Sequence, residues 1–393
     1  MISLQNAIST VLEHCKNIQQ TEIVPLWESL GRVLATDVAS DINMPPFNKS
    51  AVDGFACRKS DIHIDLRIIE TVAAGQFPTM EVTKGTCTKI MTGAPVPKGA
   101  DCVLMVEDTE MVNNNHVRYT RNETKTNIAY FAEDVKEGDT VLKKGTFLEP
   151  QHIAILSSVG VANIEVAIKP TVSILVTGDE LVETEQKPGL GQIRNSNGHQ
   201  LVAQVIRAGA KPHYEGIIED TKQATLNAVS KALSQSNIVV LTGGVSMGDF
   251  DYVPGVLQEL GVNILFQTMA VQPGKPTVFG VKGEKLIFGL PGNPVSSLFQ
   301  FDLLVRTAIL RLMGSNKPVR EIVKVPIASN FSRKRSARLA LVPAIINANG
   351  EVEPVSYHGS AHINAMATAT KIIIVPIGTD TIKKGELVDV RSI

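Results

Sequence analysis

The chain has almost no net charge, few aromatic residues, few cysteines and no long apolar run. Lys+Arg (38) and Asp+Glu (39) nearly cancel over 393 residues. Such a balance calls for neither nucleic acid nor a membrane surface as partner. No stretch is apolar and long enough to span a bilayer, and the N-terminus, "MISLQNAISTVLEHCKNIQQ", carries no signal-type apolar core. A cytoplasmic protein is the expectation. The four cysteines (Cys15, Cys57, Cys87, Cys102) are scattered, with no Cys-x-x-Cys pair. That points to a reducing compartment and away from a thiolate metal site. There are no internal repeats and no low-complexity tract.

What is present is length and pattern. A chain of 393 residues, 44% of them apolar, exceeds what one core usually holds, so several domains are expected. Residues 1–42 read as a helix, a strand and a short helical pattern, and 137–168 as a strand, a turn and a short helix. Together they frame residues 43–136, where short β runs such as "TCTKIM" and "HVRYT" alternate with Gly/Pro turns in the manner of an inserted all-β domain. Residues 169–316 alternate buried strands ("TVSILVTG", "NIVVLTGG") with helices ("NGHQLVAQVIRAGA", "DTKQATLNAVSKALSQ"). This predicts a central three-layer α/β domain with a mostly parallel sheet and helices on both faces. Residues 317–393 return to short β runs and read as a small C-terminal β-barrel. The fold class is therefore multi-domain α/β plus β.

Ligands of such sheets bind at the carboxyl ends of strands. Four unusual loops fall there: "TGDEL" (177–181), "TGGVSMGDFDY" (242–252), "VQPGKP" (271–276) and "LPGNPVSS" (290–297). In the last, Asn293 suits a helix N-cap and Pro294 the first helical position. The N–H groups of Val295 and Ser296, with the helix dipole and serine hydroxyls, then form an anion site that Gly292 lets a ligand approach. Taken alone this is a capped helix; with three other loops at the same edge it becomes a binding site. The glycines of "TGGVSMGDFDY" match neither a Walker A loop nor Gly-x-Gly-x-x-Gly. Asp249 and Asp251 are suited to Mg²⁺, which favours carboxylates, water and phosphate oxygens, with Asp251 alternatively the N-cap of the helix that follows. Lys275, between two prolines, offers a positioned point charge for a phosphate. Glu180 and Asp179 are metal or ligand contacts, or merely solvated. Asp220, with Gln223, is spaced like a capping box and is also a candidate ligand contact. The same stretch holds Gly244-Val245-Ser246-Met247-Gly248, a Gly-x-Ser-x-Gly elbow. A serine hydrolase would pair Ser246 with His358 or His362 and an acid such as Asp302. Against it, "DFDYVP" separates the elbow from its helix.

In order and over the whole chain, "MPPFNKSAVDGFA", "IMTGAPVPKGADCVLMVE", "TGDEL", "RNSNG", "TGGVSMGDFDY", "PGKP" and "LPGNPVSS" resemble the molybdopterin molybdenumtransferases (molybdenum insertases), the family that includes the E domain of gephyrin. The resemblance implies four domains, a homodimer, and a cleft shared between the α/β and C-terminal domains of one subunit and the β insertion of the other. It implies Mg²⁺-dependent insertion of molybdate into adenylylated molybdopterin with release of AMP. It places Ser246, Asp249 and Asp251 at the pyrophosphate–AMP–Mg²⁺ end, and Lys275, Ser296 and the Asn293 loop near molybdate. Arg338 resembles a C-terminal arginine contact, and Ser360 is carried over weakly. Ser50, Asp53 and Thr92 would reach in from the partner subunit. The adenylyltransferase of the same pathway is a further candidate partner.

The chain departs from that pattern at Asn48 and Lys49, at Gln272 where a lysine is common, and at Ala129 and Ala132 where Arg and Gly are common. These losses thin the charge around the cleft and leave open a slow enzyme, or a second copy with another preference such as tungstate. The adenylyltransferase itself is a short single domain, unlike this chain, and a purely scaffolding role has no support beyond the dimer.

Overall fold

The computed structural model describes residues 1–244 and 252–393. The chain forms two compact units: residues 1–36, 144–153 and 163–393 in one, and 37–143 with 154–162 in the other.

In the first unit a six-stranded sheet is built from β1 (Thr171–Thr177), β2 (Lys211–Ile218), β3 (Ile238–Thr242), β4 (Asn263–Thr268), β5 (Pro276–Lys282) and β6 (Lys285–Leu290), in the order β2-β1-β3-β6-β5-β4. The three pairings among β2, β1, β3 and β6 are parallel, while β5 runs antiparallel to both β6 and β4. The sheet is therefore mixed, because the hairpin β5–β6, turned at Gly283, reverses one strand.

Successive residues of these strands enter two different clusters, as the two-residue strand period requires. Val172, Ile174, Val240 and Phe288 join Leu201 and Val205 of helix α1 (Ser196–Arg207), together with Val295 and Phe299 of helix α4 (Pro294–Gln300). Leu175, Val239, Leu241 and Ile287 join Val229 and Leu233 of helix α2 (Lys222–Gln235) and Val256 and Leu257 of helix α3 (Val253–Glu259). Helix α4 runs on through a π turn (Phe301–Val305) into Arg306–Leu312.

The N-terminal helix, Leu4–His14, is capped by Ser3, whose hydroxyl accepts the Asn6 N–H, and it buries Ala7 and Val11. Thr21–Pro25 then pairs antiparallel with Asn163–Ala167. The helical pattern expected after that strand is only a 3₁₀ turn, Leu26–Glu28. The C-terminal sheet runs in the order Val271–Gln272, Leu339–Ile346, Lys371–Val375, Leu387–Ser392, Val323–Pro326. Val352–Pro354 pairs with Leu339–Ile346, and Ile327 bridges Val352.

In the second unit a six-stranded sheet carries the order Cys102–Met105, Gly54–Cys57, Thr86–Ile90, Leu66–Val72, His116–Tyr119, Thr109–Asn113. Its strands place Cys57 opposite both Cys87 and Cys102, with Cys57 Sγ 3.6 Å from Cys102 Sγ. All four cysteines are free and buried. Burial pushes the Cys87 thiol up to about 12, so it is an inert apolar filler at neutral pH.

One helix start differs by one residue from the sequence reading. Thr221, not Asp220, caps α2, its hydroxyl accepting the Ala224 N–H at 3.3 Å. Tyr252 is the N-cap of α3, and Asp251, which the sequence offers for that role, lies outside the described residues. No helix among the described residues is long and apolar enough to cross a membrane.

Candidate functional site

Because β1, β2, β3 and β6 run parallel, the loops that follow them leave from one edge. A cleft of 630 Å³ opens there, lined by Thr177, Gly178, Glu180, Asp220, Gly243 and Gly292, and by Asn293, Pro294, Asn195 and Asn197. Pro276, at the start of β5, also reaches it. Of the sequence-predicted residues, the fold brings together Glu180, Asp220, Gly292, Asn293 and Pro294.

Asn197 holds the edge together. Its Nδ2 donates to Thr242 Oγ1 (3.0 Å) and to the Gly292 carbonyl (2.7 Å), and the Thr242 hydroxyl donates to the Pro291 carbonyl (3.1 Å). One side chain thus ties the end of β3 to the Pro291–Pro294 loop. Asn195 supports it from behind: Oδ1 accepts the Gly198 N–H, capping α1, while Nδ2 donates to the Tyr214 hydroxyl. Tyr214 in turn donates to Glu183. Burial, and then this bond to Glu183, push the Tyr214 phenol up, so it stays a proton donor. These asparagines lie in "RNSNG". Their signal was two amides within three residues at a helix start, where one suffices for a cap.

Two glycines let the loops meet. Gly243 has φ +92°, and a Cβ there would lie 2.3 Å from the Thr177 carbonyl oxygen. A Cβ on Gly292 would sit 3.7 Å from the Gly243 Cα, so the two loop backbones run side by side. The Thr177 hydroxyl and the Asn197 Oδ1 are buried with no hydrogen-bond partner among the described residues. Both residues line the cleft.

The start of α4 is only partly as expected. Asn293 is the N-cap and Pro294 the first helical residue. The Asn293 amide, however, makes no capping bond; it donates to Ser360 Oγ at 2.9 Å. The Val295 N–H donates to the Ser360 carbonyl at 3.1 Å, so it is not available to an anion. Ser296 is buried, 2% exposed, and is not part of the cleft lining among the described residues. Its position in the first turn faces the core, with Val295 and Ser297 equally buried. The weakly carried Ser360 is thus the residue that touches Asn293.

Lys275 is exposed, one residue before cleft-lining Pro276. Arg338 is half-buried and donates to the Val271 carbonyl at 3.3 Å, beside the loop that carries Gln272 and Lys275. The Asp220 N–H donates to Asp179 Oδ1 at 3.2 Å. Ser246, Asp249 and Asp251 lie outside the described residues. The remaining hydrolase partners do not suit a triad. Asp302 is 1% exposed and paired with Arg391 and Arg320, and the rings of His358 and His362 stack on each other at 5.2 Å.

In the second unit, Asp53 Oδ1 accepts both the N–H (2.6 Å) and the hydroxyl (2.8 Å) of Thr92. Those bonds hold the exposed Asp53 carboxyl below its ordinary range. Ser50 is buried and donates to the Val52 carbonyl. Asn48 accepts the Phe131 N–H. Ala132 has φ +57°, a left-handed conformation in which glycine carries no penalty.

Comparison with known proteins places this geometry. Residues 2–160 match the MoeA N-terminal region (domain I and II), 173–311 a probable molybdopterin binding domain, and 324–393 the MoeA C-terminal region (domain IV). The molybdopterin molybdenumtransferase of Staphylococcus epidermidis is 35% identical, over 99% of this chain and 95% of its own length. The chain belongs to the molybdopterin molybdenumtransferase (MoeA) family. The Bacillus subtilis molybdopterin molybdenumtransferase is 33% identical over 97% of this chain and 91% of its own length. The crystal structure of the molybdopterin biosynthesis moeA protein of Pyrococcus horikoshii superposes with a TM-score of 0.78 at 31% identity, covering both chains in full. MoeA membership accounts for the multi-domain layout of mixed sheets and few helices.

Proposed function

We propose that this MoeA-family transferase of molybdenum cofactor biosynthesis inserts molybdate into adenylylated molybdopterin and releases AMP. The observation that carries the proposal is the convergence of Glu180, Asp220, Gly243 and Asn293 on one cleft at the carboxyl edge of the sheet. The cleft suits a substrate with a phosphoanhydride and a bulky ring system: 630 Å³ lies within the range of small-molecule sites. Asn197 and Thr242 fix the loop that would carry the oxyanion, while the buried Thr177 hydroxyl and Asn197 carbonyl oxygen retain polar capacity for substrate.

Among the described residues, no three His, Cys, Asp or Glu cluster as a metal-ligand set. Mg²⁺ needs less, since it is held by one or two carboxylates together with substrate phosphates and water. The carboxylates of Glu180 and Asp220 line the cleft as hard oxygen donors, and Asp249 and Asp251 follow the Gly243–Gly244 turn in sequence. This donor set fits Mg²⁺, with Asp249 and Asp251 the proposed holders. When bound, the ion neutralises charge on the phosphoanhydride. Lys275 and Arg338 would add fixed cations to the same loops, and Asn293 with Ser360 would face molybdate in place of Ser296.

We read the sheet with helices on both faces as a three-layer α/β domain. The Ile327–Val352 bridge supports reading the C-terminal strands as a small barrel. Four domains, a cytoplasmic homodimer with Ser50, Asp53 and Thr92 serving the partner's cleft, and association with the pathway's adenylyltransferase belong to the same proposal. The test is reconstitution with purified protein, adenylylated molybdopterin, molybdate and Mg²⁺. Molybdate-dependent AMP release is expected; its absence above background overturns the proposal.

A further inference from the structure

A second pocket, of 470 Å³, lies in the same unit between the helix Arg306–Leu312, the segment after it and the last strands of the C-terminal sheet. Its lining is strongly basic. Arg306, Arg320, Lys371 and Arg391 converge on it. Its two lining carboxylates, Glu149 and Glu321, are both exposed, and Glu321 is already paired with Lys317 at 2.9 Å.

One buried carboxylate serves the interior cations. Asp302, 1% exposed, pairs with Arg391, with Arg320 at 3.1 Å and with Arg207 at 3.8 Å. Arg306 has no carboxylate within ion-pair distance among the described residues; its Nη1 donates to the Pro318 carbonyl at 3.3 Å. Lys371 donates to the Ser392 hydroxyl at 2.8 Å and likewise has no ion pair among the described residues. Burial first, and then Arg320, push the Arg306 guanidinium down to about 10, with Asp302 opposing and Arg391 and Arg207 adding to the shift. Asp302 already serves three arginines, while Arg306 and Lys371 have no ion pair among the described residues, so five lining cations outnumber two lining carboxylates and leave the pocket short of negative charge. Guanidinium groups present paired N–H donors that match phosphate oxygens.

We propose that this pocket binds a multiply charged phosphoryl oxyanion, held by Arg306, Arg320, Lys371 and Arg391. The ligand would bridge the end of the long helix and the C-terminal strands, so it stabilises the folded chain by mass action. The site does not depend on the reading of the cleft.

The test is calorimetric titration of the whole chain with inorganic phosphate and, separately, with glycerol 3-phosphate. Saturable binding of inorganic phosphate alone assigns the site to the free ion. Binding of both assigns it to phosphoryl groups generally. The double variant Arg306→Gln/Lys371→Gln should weaken binding at least tenfold, and the charge-retaining Arg306→Lys/Lys371→Arg should stay within about threefold of wild type. These two pairs spare the arginines that hold Asp302. Crystals of the wild-type chain soaked in selenate give a second measurement, with anomalous density expected between Arg306 and Arg391. No saturable binding of either ligand, equal affinity in the charge-neutral variant, or selenate density absent from the pocket would overturn the proposal.

Discussion

The two pockets of the larger unit are built in opposite ways. The cleft at the sheet edge is shaped by backbone turns and short amides: Gly243, Gly292, Asn195 and Asn197 set where the loops lie, and its lining carries carboxylates. The basic pocket is shaped by long cations from distant parts of the chain, two of them, Arg320 and Arg391, paired with one buried carboxylate. In the first, geometry is fixed before any ligand arrives. In the second, charge is left over for a ligand to neutralise. A preorganised cleft suits chemistry on a large substrate, whereas uncompensated charge suits simple anion capture.

Breaking each pocket at its keystone should separate them. Asp302→Ala strands three arginines around a buried vacancy and should cost about 3–5 kcal/mol of stability, read as the free energy of unfolding in denaturant. Gly243→Ala forces a Cβ against the Thr177 carbonyl at positive φ and should cost about 2–3 kcal/mol. Its loss of activity should exceed its loss of stability, because the cleft loops move first. Arg306→Gln removes a largely buried cation that lacks a carboxylate within ion-pair distance among the described residues, so it should be neutral or stabilising by on the order of 1 kcal/mol. A loss of several kcal/mol instead would mean that the basic pocket is structural and not poised for an anion. Ala132→Gly, in the other unit, serves as a control on both. Relief of the left-handed strain should stabilise by about 1 kcal/mol, visible as a raised melting temperature, with no effect on phosphate binding.

The contrast also explains what the sequence revealed. The cleft was legible because turn chemistry is local: glycines, prolines and a helix cap announce themselves within a few residues, and strand ends place them at one edge. The finer atoms were not. Whether Ser296 faces ligand or core depends on how the helix rolls on the sheet, and Ser360, far along the chain, takes the Val295 N–H that local reasoning had left free. Thr221 displaced Asp220 as a cap because two adjacent residues both suit the role. The basic pocket was invisible, since Arg306, Arg320, Lys371 and Arg391 share no motif and meet only through tertiary packing. The cysteines were likewise scattered in sequence, yet three lie side by side across neighbouring strands.

The account rests on the cleft, and not the basic pocket, being where the transferase works. Molybdate-dependent AMP release should therefore be compared in the wild-type chain, Asn197→Ala and Arg306→Gln/Lys371→Gln. Loss of the Asn197 tether frees the Pro291–Pro294 loop and should lower the rate about 100-fold, the size of effect that a small misplacement of reacting groups produces. The double variant should retain the wild-type rate within about twofold. An unchanged rate in Asn197→Ala, or a collapse in the double variant with its fold intact, would contradict the account.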